Sequence, residues 1–539
     1  MDDAVTGGTV APPPPSLYTR QATGLVRDIS TVSAVALNVS FMGIAYVALA
    51  GTSIPFGFPG ANPLWVALIC GVVTVFPILL YGLFLTAMPR TGGDYIYVSR
   101  TLHPWLGLAA NFNLTSWYLV NTAFLAFLVP VLGISSAFLT IGVTTDSPTL
   151  TRWAGDVTTK NWAFGIGALV LVLVFLSVSV RMQQTLSVMK IIFVASLVCV
   201  VLAIILLAIH GRSDFEASVA RFGATYKGVL GDAHKAGYAG YHGFDLHNTW
   251  FALPAIFTAF GYAIVTAYTG GEVRSARVSG LRGMLYSLAI AVFFAAIMFG
   301  LAARTFGNDF LGSATFLSTN GDKAYPFDVP SFFFFFVSML THSTVVIALI
   351  GISFVIATAA TLPPSFLAAT RSMFAWSFDR LVPARISAVN ERTRSPLIAN
   401  TIVLVVALGY LAFIAYGPSY FTTILFTTIA GQLLTFMVVA IAGIAFPYRR
   451  RLLYETSPIR RSIGGIPLIA AVGAIALAVY AFMFYSLMTT DALGANSDTG
   501  KWAMLCIGLI SLAIYPISYL INRRRGVDLG LTFRELPPE

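Results

Sequence analysis

The sequence predicts an all-α integral membrane protein of about twelve transmembrane helices. Of its 539 residues, 57% are hydrophobic and only 10% charged, and the mean hydropathy is +0.82. A soluble chain of this size needs a far more polar surface. Apolar stretches of about 20 residues, the length that crosses hydrocarbon, recur at 29–51, 63–88, 105–140, 161–180, 185–209, 249–270, 281–303, 343–376, 396–416, 418–446, 466–488 and 501–521. Basic residues also fall unevenly between them. With both ends inside, 23 of the 32 Lys and Arg lie on the inner side and 9 outside, while the acidic residues divide 11 and 11. That bias is the positive-inside pattern. It accounts for the net charge of +10 and for the clusters "PYRRRLLYE" and "INRRRG" without any nucleic-acid partner.

The N-terminal "MDDAVTGGTVAPPPPSLYTR" reads as a disordered cytoplasmic tail, because it lacks the basic start and cleavage site of a signal peptide. Segment one, "STVSAVALNVSFMGIAYVALAG", carries Asn38, Ser40 and Gly43 at its centre, and segment six is interrupted by Pro254 and Gly261. Small residues at such positions either let helices pack closely or mark matched broken helices of two repeats. The Phe-rich "SFFFFFVSML" (331–340) either extends segment eight or forms a short helix outside it. Segment three offers Trp117, Tyr118 and Asn121 as cavity-lining groups, with Trp117 read as an interface anchor. The histidines of the long outer loop 211–248 (His234, His242, His247) are spaced too irregularly for a metal site. Cys70, Cys199 and Cys506 all lie in apolar segments and are uninformative about redox compartment. The spans supply no convergent acid, base or metal ligands, so no enzyme activity, cofactor or metal is expected.

Three inner stretches, "MPRTGGDYIYVSRTLHPWLGLAANF" (88–112), "TAFGYAIVTAYTGGEVRSARVSGLRGM" (258–284) and "LAATRSMFAWSFDRLVPARISAVNERTRSPLIAN" (367–400), together resemble the amino acid–polyamine–organocation (APC) superfamily of permeases. The likeness extends over residues 29 to 521. It implies a LeuT-like fold: two inverted five-helix repeats, 29–210 and 249–446, joined by the outer loop 211–248. Two further helices in 447–521 and a cytoplasmic tail from 522 to 539 follow, and the whole sits in the plasma membrane.

The resemblance also implies secondary transport of an amino acid, or a related small amine or carboxylate, by alternating access. The substrate would lie where segments one and six unwind, against Ser40, Phe41, Gly43, Ile44, Ala45, Phe260, Gly261 and Tyr262, with Asn121 alongside. Only one glycine stands where the family commonly has two, and the bulkier Ile44 implies a smaller or differently shaped ligand. No Asp or Glu lies within an assigned span, so a polycation would meet no carboxylate there and neutral amino acids rank above polyamines. Lys190 stands out as an ammonium well inside segment five. It either snorkels or, as the resemblance implies, replaces a sodium ion beside the break, near Thr358 and Thr361. A lysine there that titrates would couple transport to protons; exchange is the alternative.

The basic inner loops generate a topology prediction. From outside an intact cell, a membrane-impermeant thiol reagent should label engineered cysteines in 211–248 and miss those in 371–394. Labelling of both sets would overturn the twelve-span assignment.

Overall fold

In the computed structural model, residues 27–526 are described except 391, 394 and 418–420, together with Leu529 and Phe533. Most of the two predicted tails, 1–26 and nearly all of the chain beyond 526, therefore lies outside the described residues. Among the described residues, eleven helices are long and apolar enough to cross a membrane, by length and composition. The twelfth predicted segment, the sixth in order, is there but not as one helix. It runs as Leu246–Phe251 and Leu253–Phe260, then leaves helical geometry for short 3-10 turns at Val265–Ala267 and Gly270–Glu272.

The first span (Thr31–Gly57) is also interrupted, into Thr31–Met42 and Ile44–Gly57. The hinge is Gly43, with φ 61° and ψ 82°. An L-residue in that left-handed region pays roughly 1–2 kcal/mol, which glycine avoids. Space excludes a side chain as well, since a Cβ on Gly43 would lie 2.8 Å from Cγ2 of Thr361. Gly261 ends its helix differently. Its φ of −61° is ordinary, so the sixth segment breaks through the turns that follow rather than through a glycine conformation.

Position in the bundle follows composition. Within the most apolar window of the first span 89% is buried, against 11% in the twelfth, Asp498–Arg524. Broken backbone is tolerated in hydrocarbon only when protein or a cavity surrounds it, and this fold puts both interrupted segments at its centre. The third span is continuous from Pro104 to Thr144 but opens into a wide turn at Val129–Ile134, where Pro130 has no amide hydrogen to give. The eighth span, Thr344–Phe378, bends at Thr361, just before Pro363 and Pro364. Phe333–Met339 is a short separate helix, buried throughout, which resolves the reading of the Phe-rich stretch in favour of a helix outside span eight. On the face that carries the basic loops, Gly464 and Gly465 turn a two-residue hairpin between spans ten and eleven.

The hinge yields a prediction. Gly43→Ala should destabilise the protein by about 1–2 kcal/mol for the backbone alone, with a further loss from the contact with Thr361. Thr361→Ser, which deletes the colliding methyl, should recover part of that loss in the double variant. Thermal unfolding of the three variants measures both effects.

Candidate functional site

Around the break, three aromatic side chains meet. The Phe41 ring lies 4.6 Å from that of Tyr262 and 5.4 Å from that of Tyr118, and the two tyrosine rings are 5.9 Å apart. Phe41 comes from the first half-helix and Tyr262 from the unwound exit of segment six, so the cluster bridges both interruptions to span three. Gln432 of span ten (Thr423–Arg449), fully buried, donates its amide to the Tyr262 hydroxyl at 2.9 Å. Asn38, one turn before Phe41, accepts from both the amide and the hydroxyl of Thr266 at 3.1 and 2.9 Å. The bond from the Thr266 amide satisfies part of the backbone that the missing helix leaves open.

The remaining expected site residues distribute as follows. Ser40, Gly43, Ile44 and Ala45 line a recess of about 10 Å³ shared with Val39, Ser196, Ala357 and Ala360. Thr361 touches the Gly43 position; its hydroxyl donates to the Thr358 carbonyl at 2.7 Å, and the Thr358 hydroxyl to the Phe354 carbonyl at 3.0 Å. Asn121 and Phe260 are buried on the same segments, yet neither makes a hydrogen bond or ring contact with the aromatic cluster among the described residues. Gly261 caps its helix beside Tyr262.

Lys190 is not brought to this place. It is exposed, and Ser196 is the residue of the fifth span (Met182–Ile209) that faces the recess. Six helical residues separate them, about 9 Å along the axis and ~240° around it. The lysine therefore occupies another face, nearer the basic loops, as a snorkelling side chain would. Trp117 is a second correction. It is 2% exposed, donates to Asn113 at 3.2 Å, and lies against Gly431 where a Cβ would come within 2.1 Å of its Nε1. It packs the third span on the tenth instead of anchoring the bundle at an interface.

Above the break, on the face opposite the basic loops, a cavity of about 990 Å³ opens. Its walls include Leu49, Thr52 and Phe56 of the first span, Phe124 and Phe127 of the third, Thr315 and Ser318, and Phe426 of the tenth. Lys160 and Asp491 are the only charged side chains among the lining residues. The lining reaches Leu49 and Phe124, each six residues from Gly43 and Tyr118, so the cavity ends about 9 Å above the break.

Below the break the molecule is closed. Arg371 of span eight grips Glu272 with two parallel bonds, 2.7 Å from Nε and 3.2 Å from Nη2. Arg100 pairs with Asp379 at 2.8 Å, and the Tyr95 hydroxyl donates to the same carboxylate at 2.6 Å. All four charged groups are at most 5% exposed. Arg371 is, beside Lys190, a further charge inside a predicted span, for it belongs to the segment 343–376. These residues come from the three inner stretches quoted above, where sequence reading treated them as signatures and not as partners. The available signal was their complementary charge: Asp94 and Arg100 in the first, Glu272 in the second, Arg371 and Asp379 in the third.

The fold and the family have independent support. The crystal structure of MhsT in complex with L-phenylalanine superposes with a TM-score of 0.54 at 16% identity, covering 85% of this chain and all of that one. This likeness shows the LeuT-type fold. A search by sequence among curated proteins finds no significant match. The family model described as amino acid permease matches residues 40–529, and the chain therefore belongs to the amino acid permease family of the APC superfamily.

Proposed function

We propose that this permease carries neutral amino acids across the plasma membrane by alternating access, with the basic face and both termini in the cytoplasm. The observation that carries the reading is the asymmetry about the break. A large cavity approaches it from one face, while two buried ion pairs seal it from the other. In these terms the chain is in an outward-facing conformation.

Substrate class follows from the lining. The half-helix Ile44–Gly57 begins at the break with no side chain capping its amides, a setting that favours a carboxylate. The last carbonyls of Thr31–Met42 face the complementary ammonium. A zwitterion is thus held by backbone, and Phe41, Tyr118 and Tyr262 offer apolar faces to its side chain. The L-phenylalanine bound by MhsT is consistent with that assignment. A polyamine is disfavoured, because Asp491 is the only carboxylate lining the cavity among the described residues and added cations would be desolvated unpaired. Proton coupling through Lys190 has no support from its position, which leaves proton linkage to be sought elsewhere.

Two outcomes test the reading. Phe41→Leu should weaken binding of L-phenylalanine about three- to tenfold, the worth of an aromatic contact, and change binding of L-alanine much less, as read by calorimetry on purified protein. Equal affinities for both solutes in the variant and the parent would place the site elsewhere. Glu272→Gln leaves Arg371 buried without its partner, a change that costs several kcal/mol, so the closed cytoplasmic side should be weakened. A cysteine replacing the buried Ala375 should then be labelled from the cytoplasmic side at least tenfold faster than in the parent.

A further inference from the structure

One buried acid is left over from the ion pairs. Asp94 is fully buried at the start of the connecting helix Asp94–Thr101, between spans two and three. Its Oδ2 accepts from Asn111 Nδ2 at 2.9 Å, its Oδ1 has no hydrogen-bond partner among the described residues, and the Tyr268 hydroxyl lies close enough to act on its charge. No cation pairs with it among the described residues. The charged groups on the elements around it are committed elsewhere: Arg100 to Asp379, Arg371 to Glu272, Arg449 to the Leu102 carbonyl and Arg450 to the Arg100 carbonyl. The titratable groups within its electrostatic reach are the phenols of Tyr81, Tyr118 and Tyr268. Among the described residues nothing positive offsets its charge.

Its contacts all cross the closed side. Tyr268 belongs to the unwound exit of segment six, and Gly92 donates to the Tyr268 carbonyl at 3.0 Å. At Gly93, φ 54°, a Cβ would lie 2.9 Å from the Tyr268 ring. Asn111 is on span three, and its Oδ1 accepts from the Trp376 indole of span eight at 2.7 Å. Upward, the Tyr268 hydroxyl lies 3.4 Å from that of Tyr118, a member of the aromatic cluster. Asp94 is thus the junction of segments six, three and eight on the sealed face, and it is dry only while those segments stay together.

We propose that Asp94 is a protonation-linked positioning residue for the cytoplasmic seal: a proton on its carboxyl favours the closed arrangement, and opening hydrates the group and releases that proton. The proposal rests on the alternating-access reading and names a regulation of the same site. Burial raises the Asp94 pKa from 3.8 to about 6. Because the raised value belongs to the closed state, closure is favoured at low pH, and that advantage fades as pH rises from about 4 to about 6. Linkage limits the whole swing to about a hundredfold in the closed-to-open ratio, of which about tenfold falls between pH 7 and pH 5.

The test uses spin labels at the exposed positions Arg277 and Arg385, each changed to cysteine, with Cys506→Ser, in nanodiscs at pH 5 and pH 7. Distance distributions are recorded with and without L-phenylalanine. The expected result is a closed-to-open ratio about tenfold higher at pH 5. Asp94→Glu should keep a pH response, and Asp94→Asn should lose it and resemble the acid state at both pH values. Distances independent of pH in the parent under both conditions, or an unchanged response in Asp94→Asn, would overturn the proposal. Calorimetric binding of L-phenylalanine to the same samples separates the two readings. Absent binding with an intact pH response removes the substrate assignment and keeps the latch, and normal binding with no pH response does the reverse.

Discussion

A helix interrupted inside hydrocarbon must have its freed amides and carbonyls answered by protein, water or solute. Every main feature of this permease is arranged around that demand. Because the first and sixth segments are interrupted, they must sit at the centre. Because they sit there, they must answer each other's opened backbone, as Asn38 of the first does for the Thr266 amide of the sixth, and the spans around them must supply side chains such as Gln432 that hold the groups beside it. What these groups leave unsatisfied is open backbone of a kind that an intact helical bundle does not offer.

The two faces of the break are held by different physics. Toward the cavity, hydroxyls and aromatic rings line a space with two charged side chains in its walls among the described residues, a surface that is wet without being strongly charged. Toward the basic loops, charge is neutralised locally. The Arg371–Glu272 fork and the Arg100–Asp379 pair each bury two opposite charges with several hydrogen bonds. Such pairs contribute little net stability compared with an apolar core, but they are intolerant of losing one partner. That intolerance makes the seal depend on both members of each pair being in place.

Much of this was legible in the chain. The spans could be counted from apolar length, the break at Gly43 from a glycine flanked by polar residues, and the family from three inner stretches. What failed to show was direction around a helix. Lys190 and Ser196 are six positions apart in one apolar run, and in a span with almost no polar face nothing in the sequence says which side meets the break. Trp117 misled for a related reason, since tryptophan suits both an interface and a tight seat against glycine, and Gly431 is more than 300 positions away. The ion pairs were hidden because their partners lie in separate stretches, joined only once segment six unwinds and lays Glu272 beside Arg371. The reading of the fold needed local pattern alone, whereas the seal needed pairing at long range.

Burial of the two ion pairs has a consequence for the medium in which the permease works. Mobile ions weaken electrostatic contacts only where they can approach, and the screening length of about 8 Å at physiological ionic strength applies to charges that face water. Arg100, Glu272, Arg371 and Asp379 do not face it. The holding strength of the seal is therefore set inside the protein, and a rise in salt on the side of the basic loops does not loosen it.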